Sequence, residues 1–343
     1  MEDTTTRAVV FTKYGGPLTV QEVKLPQLKP KQILIKVYSA SLNPIDYKRR
    51  DGKTRMVIKD KFPALICFDA AGIVEKVGTE VSAFKVGDRI AARCRRSGAL
   101  AEFCIADEDV CAKMPDNVTY NDGAGIPLAG QTAYQSLLRG GLKEGDSIFI
   151  SGGAGGVGVF AVQLAKKVFK ASRVVTTCSG AKADFCRSLG ADEVIDYTKG
   201  NPYKSAQGPF DMVFDTVGDA TKMGGSLIKP GKYVISIASI PDNGAFDRIN
   251  RPIPFYLRGI LSVASAYPKW AASPGIYNYV FLDPNGEHLT KLVNLIGDGT
   301  IQVPLDSVFQ GLEKATEAFD KLETGRAKGK VVVEVRPSTA PSS

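Results

Sequence analysis

The spacing of apolar positions changes along the chain, and the change divides it. Up to about Asp122, short runs are separated by Gly, Pro and Asp: Ala8 to Phe11, the alternating Ile33-Leu34-Ile35-Lys36-Val37, Gly72 to Val77 and Asp88 to Ala92. Such runs predict strands, so this part reads as β-rich. From about Gly123 to Trp270, apolar runs at Ser147 to Ile150, Arg173 to Thr177, Glu193 to Ile195, Phe210 to Phe214 and Tyr233 to Ile237 alternate with segments of helical period. Between the first two, Val157, Ala161, Leu164, Ala165 and Val168 form one apolar stripe on one helix. Strands alternating with helices predict an α/β, doubly wound parallel sheet.

Beyond Trp270 the pattern predicts helices around His288 to Ile296 and Leu312 to Leu322, then a last strand from Lys330 to Val335. One strand and two helices cannot bury their own apolar face, so this return segment is expected to complete the first domain. The expected division is 1–122 with 273–343 for the β-rich domain and 123–272 for the parallel one.

A chain of 343 residues, 44% hydrophobic and 23% charged, is an ordinary globular composition, longer than one core usually grows. Met1 to Gly16 shows no apolar targeting segment and Ser338 to Ser343 reads as a short frayed tail, so the cytoplasm is the expected compartment. Ser147 to Ala165 carries no charge, but its glycines suit a tight turn rather than a membrane span. Six scattered cysteines without a C-x-x-C pair read as free thiols in a reducing compartment. The net charge is +8, with local clusters at Lys48-Arg49-Arg50 and at Arg93, Arg95 and Arg96. Neither has interleaved aromatics, so they read as solvated basic surface, or as a field drawing in a polyanionic cofactor, rather than as a nucleic-acid site.

Residues 151–158 read SGGAGGVG, which sets Gly153, Gly155 and Gly158 in G-x-G-x-x-G register after a predicted strand and before a predicted helix. That order is what pyrophosphate binding needs: a tight turn, a backbone without side chains in the way, and a helix N-terminus. Gly156 and Val157 complete the turn. An NAD-selective site places an acid about 20 residues on, at the end of the second strand. Here that end reads Thr176-Thr177-Cys178-Ser179-Gly180-Ala181-Lys182, with a hydroxyl and an ammonium but no carboxylate, so the expected cofactor is NADPH. The single histidine, His288, stands in a polar helical segment with no cysteine nearby, and no zinc ligand set is expected. Without a Lewis acid the hydride acceptor should already be electrophilic.

The stretches NPIDYKRRDG (43–52), FDAAGIVEKVG (68–78), AGQTAY (129–134), GGAGGVG (152–158), LGADEVIDY (189–197), FDTVG (214–218) and RAKGKVVV (326–333) give the chain its family likeness. It resembles the quinone oxidoreductase, zeta-crystallin-like branch of the zinc-independent medium-chain dehydrogenase/reductases over nearly its whole length. The resemblance implies a GroES-like catalytic domain wrapped around a Rossmann domain, a homodimer, and a quinone or an α,β-unsaturated carbonyl (an enone or 2-alkenal) as substrate. It implies that Asn43 and Thr132 lie near the nicotinamide end and that Lys182 and Tyr197 join Ser179 at the 2′-phosphate. It further implies that Phe281 and Leu282 flank the nicotinamide, and that Arg326 and Lys330 belong to a late cofactor-contact region. Position 68 is Phe where zinc-dependent relatives carry a histidine ligand.

Two departures stand out. Many relatives have a tyrosine two residues after the aspartate of N-x-x-D, whereas here Tyr47 follows Asp46 directly and Lys48 takes the later place. Both are therefore candidate proton donors, with aromatic packing as the alternative role for Tyr47. Cys67 fills a slot where the family often has glycine. The competing functional class is a nucleotide-dependent RNA-binding or crystallin-like protein with little turnover, which the basic balance permits.

Overall fold

The computed structural model describes residues 5–55, 58–223, 225–249 and 253–337, so the 338–343 tail and the first four residues lie outside the described residues. In chain order the strands begin with β1 (Thr5–Phe11), β2 (Thr19–Lys24), β3 (Gln32–Leu42), β4 (Ala64–Leu65), β5 (Asp69–Val77), β6 (Arg89–Arg93), β7 (Phe103–Asp107) and β8 (Cys111–Lys113). The middle group is β9 (Ser147–Ile150), β10 (Arg173–Cys178), β11 (Glu193–Asp196), β12 (Phe210–Asp215), β13 (Ile228–Ser236) and β14 (Ile276–Tyr279), and the chain closes with β15 (Leu305–Gln310) and β16 (Lys330–Glu334). The chain forms two compact units, Met1–Gln131 with Pro284–Ser343, and Thr132–Asp283.

In the first unit one sheet runs β15-β16-β3-β5-β6-β8, with β7 also paired to β3, and a second runs β2-β1-β4. The alternation of Ile33, Ile35 and Val37 places these side chains in one buried cluster with Val9, Phe11 and Phe319. Leu34, between them, is buried as well, since β3 is the central strand and is covered on both faces. The return segment supplies two of the strands, with β16 antiparallel to β3 in the register Val331 to Leu42 and Val333 to Ala40.

The second unit has a six-stranded parallel sheet in the order β11-β10-β9-β12-β13-β14. In order of sequence that is 3-2-1-4-5-6, the doubly wound arrangement that leaves a crevice at the carboxyl ends of the first strands. The strand cores are continuous apolar runs (Ile148-Phe149-Ile150, Val213-Phe214) because both faces are buried. The second unit reaches further along the chain than the change of pattern near 272, because Ile276–Tyr279 pairs parallel with Tyr233–Ser236. Among the described residues no helix is long and apolar enough to cross a membrane.

Asp215, at the carboxyl end of β12, ties the sheet to the turn that follows. Its Oδ1 accepts from the backbone N–H groups of Gly218 (2.9 Å) and Asp219 (3.0 Å), and its Oδ2 from the N–H of Ala220 (3.0 Å) and the hydroxyl of Ser236 (2.8 Å). Removing a buried acceptor strands all of those donors. We expect Asp215→Ala to lower the unfolding free energy in urea by at least about 3 kcal/mol, and Asp215→Asn by clearly less because an oxygen acceptor remains. Equal losses in the two variants would show that the acceptor role is not what stabilises the turn.

Candidate active site

The glycine turn lies between β9 and the helix Gly158–Gln163. Gly152 has φ +69 and donates its N–H to Thr177 Oγ1 (2.9 Å), while Gly153 donates to the Thr177 carbonyl (3.0 Å). A Cβ on Gly153 would stand 2.2 Å from Thr176 Oγ1, and one on Gly158 2.1 Å from the Gly152 carbonyl oxygen. These two positions press the turn against the next strand and against itself, so neither tolerates a side chain. Gly155, by contrast, is exposed, and Gly156 and Val157 are partly so. The result is a bare backbone rim ahead of a helix N-terminus, which fits a pyrophosphate.

The loops after β10 and β11 stand side by side, because Cys178 and Asp196 are register partners. Ser179 and Lys182 therefore follow one strand and Tyr197, more than half exposed, follows its neighbour. The sequence reading missed Asp196. Its carboxyl accepts from the N–H (2.9 Å) and hydroxyl (2.7 Å) of Thr198, and a Cβ on Gly180 would come within 2.5 Å of its Oδ2. Those Thr198 hydrogen bonds, with a further one from Gly180, hold the group below the usual carboxylate range. An acid does border the loop, but one strand over from the place searched.

The first unit contains a buried polar cluster around Asn43. Lys330 Nζ donates to Asn43 Oδ1 (2.5 Å) and to the Leu42 carbonyl (3.1 Å), and Asn43 Nδ2 donates to Asp69 Oδ2 (2.8 Å). The Asn43 backbone N–H donates to Asp46 Oδ2 (2.7 Å), and its carbonyl accepts from the Asp46 N–H (2.9 Å). Every polar atom of Asn43 is thus engaged within its own unit. Asp69 Oδ2 also accepts from the N–H of Leu128 (3.2 Å), in the first turn of the helix Pro127–Arg139 that carries Thr132. Lys330, Asn43, Asp46 and Asp69 are all buried. Burial pushes Asp46 up to about 7, against the hydrogen bond from Asn43, and raises Asp69 to about 6, against the charge of Lys330.

The remaining predicted residues fall in both units. Tyr47 packs against the apolar core of its unit and Lys48 is exposed, both on the helix Pro44–Arg50. Thr132 is buried, and Phe281 meets Phe246 and Tyr279 edge to face, with Leu282 half-buried beside it. Arg326 is on an exposed turn while Lys330, four residues on, points inward. Two of the basic residues read as solvated are not. Arg49 is buried, ion-paired with Asp60 and bonded to the Leu65 carbonyl (2.8 Å), and Arg93 is half-buried. Their guanidinium groups lie 5.8 and 4.5 Å from the Phe68 ring centre, so the aromatic at 68 holds two cations. Cys67 adopts φ +72, the left-handed region that favours glycine, and its thiol donates to the Ser41 carbonyl (3.1 Å). Burial holds that thiol well above its ordinary value, so it is packing rather than a reactive thiolate.

A 3-2-1-4-5-6 parallel sheet with a glycine turn after its first strand, joined to an antiparallel β-rich unit, defines a dinucleotide-dependent oxidoreductase. The alcohol dehydrogenase GroES-like domain family matches residues 29–116 and the zinc-binding dehydrogenase family residues 189–333. The chain is 34% identical over 343 residues to 2-methylene-furan-3-one reductase of Solanum lycopersicum, covering 96% of this chain and 79% of that protein. It is 34% identical over 341 residues to the chloroplastic NADPH-dependent alkenal/one oxidoreductase of Arabidopsis thaliana, covering 95% and 79%. The solved quinone oxidoreductase from Coxiella burnetii superposes with a TM-score of 0.84 at 29% identity, covering 97% of this chain and all of that one. The chain belongs to the quinone oxidoreductase branch of the medium-chain dehydrogenase/reductase superfamily. It is an NAD(P)H-dependent oxidoreductase with a GroES-like domain and a Rossmann domain.

Zinc does not fit the residues present. The chain has one histidine, and among the described residues no group of three or more His, Cys, Asp or Glu side chains is arranged to hold a metal ion.

The raised carboxyl of Asp46 sets the sign of a pH effect. A group whose folded pKa exceeds its unfolded value stabilises the fold fully below that unfolded value, here 3.8, and the contribution is lost as pH rises to about 7. We expect Asp46→Asn, which keeps the shape without the titration, to flatten the fall in thermal midpoint between those two pH values. A wild-type decline retained in full by the variant would show that another group is responsible.

Proposed function

We propose that the chain is an NADPH-dependent reductase of quinones or α,β-unsaturated carbonyls that works without a metal, as a homodimer in the cytoplasm. The observation that carries the cofactor choice is the loop pair beyond β10 and β11. Ser179, Lys182 and Tyr197 present a hydroxyl, an ammonium and a phenol beside the glycine turn, and the acid of that region, Asp196, is engaged with Thr198. A phosphate on the adenosine ribose suits that group better than bare hydroxyls. Six buried free thiols suit a reducing compartment.

The reduced nicotinamide, when bound, supplies a hydride from its C4. The rim from Gly153 through Gly155, Gly156 and Val157 to Gly158 holds the pyrophosphate, and Thr132, Phe281 and Leu282 border the nicotinamide. Arg326 adds a cation at the cofactor from the return segment. Asn43 and Lys330 act as braces, since the polar atoms of Asn43 are already engaged. An oxyanion or enolate develops on the acceptor and needs a donor. Lys48, exposed and able to regain a proton from water, is the donor we favour over Tyr47, whose ring packs on the core. Two observations support the acceptor class: among the described residues no side chains are grouped to hold a metal ion that would polarise an ordinary ketone, and relatives are named for enone, alkenal and quinone reduction.

Two measurements test this. Following NADPH absorbance with 1,2- and 1,4-quinones, a short 2-alkenal and a cyclic enone should show turnover with at least one, and none with NADP⁺ and ethanol. Good ethanol oxidation with no reduction across that panel overturns the acceptor class. Lys182→Ala should raise KM for NADPH by roughly 10- to 100-fold, the loss of a charge-assisted bond, and KM for NADH far less. Equal effects on both cofactors would remove Lys182 from the 2′-phosphate.

A further inference from the structure

One carboxylate joins the two turns that carry Ser179, Lys182 and Tyr197. Asp196 is the last residue of β11, and its Oδ1 accepts from the N–H (2.9 Å) and hydroxyl (2.7 Å) of Thr198, which follows Tyr197. The same carboxylate reaches sideways and accepts from the backbone N–H of Gly180, between Ser179 and Lys182. Its own backbone is fixed by the parallel pairing that sets it opposite Cys178, the residue before Ser179. Asp196 is thus bonded on one side to the turn bearing Tyr197 and on the other to the turn bearing Ser179 and Lys182.

Both turns depend on such a tie. No residue of Gly180–Lys182 or of Tyr197–Lys199 is buried, so hydrogen bonds rather than packing decide where their side chains stand. The first turn is closed by the bond from the Lys182 N–H to the Ser179 carbonyl (2.8 Å), and it opens on a glycine, the residue that loses most freedom when ordered. That glycine is needed for the contact. A Cβ at position 180 would stand 2.5 Å from Asp196 Oδ2, so a side chain there would push the carboxylate away.

On charge alone the acid is badly placed, because a carboxylate near a phosphate repels it. The hydrogen bonds from Thr198, then that from Gly180 and the charge of Lys199, keep Asp196 ionised and below the usual carboxylate range. Two roles for the acid therefore predict opposite signs. If it repels the phosphate, removing it tightens NADPH binding; if it orders the residues around the phosphate, removing it weakens NADPH binding, since their ordering then falls on the binding step.

We propose that Asp196 is a positioning residue for NADPH, which touches no part of the cofactor and sets the spacing of Ser179, Lys182 and Tyr197 around its 2′-phosphate. This rests on the cofactor reading of the proposed function and adds the residue on which that grip depends. The test is calorimetric titration of the full chain with NADPH and with NADH, as wild type, Asp196→Ala, Asp196→Asn, Gly180→Ala, Lys182→Ala and the Asp196→Ala, Lys182→Ala double variant. Wild type should prefer NADPH. Asp196→Ala should raise the NADPH Kd about 10-fold and the NADH Kd less than about twofold, Gly180→Ala should act in the same direction, and Asp196→Asn, which keeps one acceptor oxygen, should recover part of the loss. In the Lys182→Ala background the Asp196→Ala factor should shrink, because the acid acts through that lysine. Tighter NADPH binding in Asp196→Ala, equal losses for both cofactors, or an undiminished factor in the double variant each overturn the inference while leaving the NADPH preference standing. A wild type that does not prefer NADPH overturns the cofactor reading and this inference together.

Discussion

Burying an amide between an ammonium and two carboxyls is the constraint on which the first unit is organised. Lys330 and Asp69 reach Asn43 from strands far apart in sequence, and Asp46 closes on its backbone from the following helix. Each of these groups alone would be costly in an apolar core. Together they satisfy one another, apart from one oxygen on each acid, and those oxygens belong to the two carboxyls that burial pushes toward holding a proton. The same acid that holds the Asn43 side chain also receives the Leu128 N–H. The helix Pro44–Arg50 and the first turn of the helix Pro127–Arg139 are thereby tied to the same buried group.

Much of the parallel unit could be read from the chain because its strands are apolar on both faces. Ser147–Ile150 matches to the residue, three further strands of the sheet run one residue longer than read, and the strand read as Tyr233 to Ile237 begins at Ile228 and ends at Ser236. The sixth, Ile276–Tyr279, was invisible, since four residues between a helix and a turn carry no period of their own. The helix before it was missed for a different reason. Its burial runs opposite to its hydrophobicity, so the usual inference from apolar spacing to a buried face fails. In the first unit β2, β7 and β15 were not anticipated, being short or polar-facing strands whose place is set by pairing.

The site was legible where local chemistry decides it and obscure where distant strands meet. The glycines could be found because the turn needs them wherever it occurs. Asp196 escaped because the acid was sought at the end of one strand, and parallel pairing delivers it from the next. Asn43 and Lys330 were both singled out, but spacing alone could not say that one grips the other across 287 positions. Arg49 and Arg93 looked like surface charge because sequence counts cations without showing the aromatic ring and carboxyl groups that draw them inward.

The ring at position 68 also limits how the enzyme could be redesigned. Installing a histidine there, to regain the ligand that zinc-dependent relatives use, would take away the flat electron-rich face on which two guanidinium groups rest. Arg49 and Arg93 would lose that contact and keep their charge beside the new side chain. Conversion to a metalloenzyme would therefore demand that Arg49, Arg93 and their counter-charges be rebuilt in concert, so that a path of single substitutions leads through proteins that neither bind metal nor pack well.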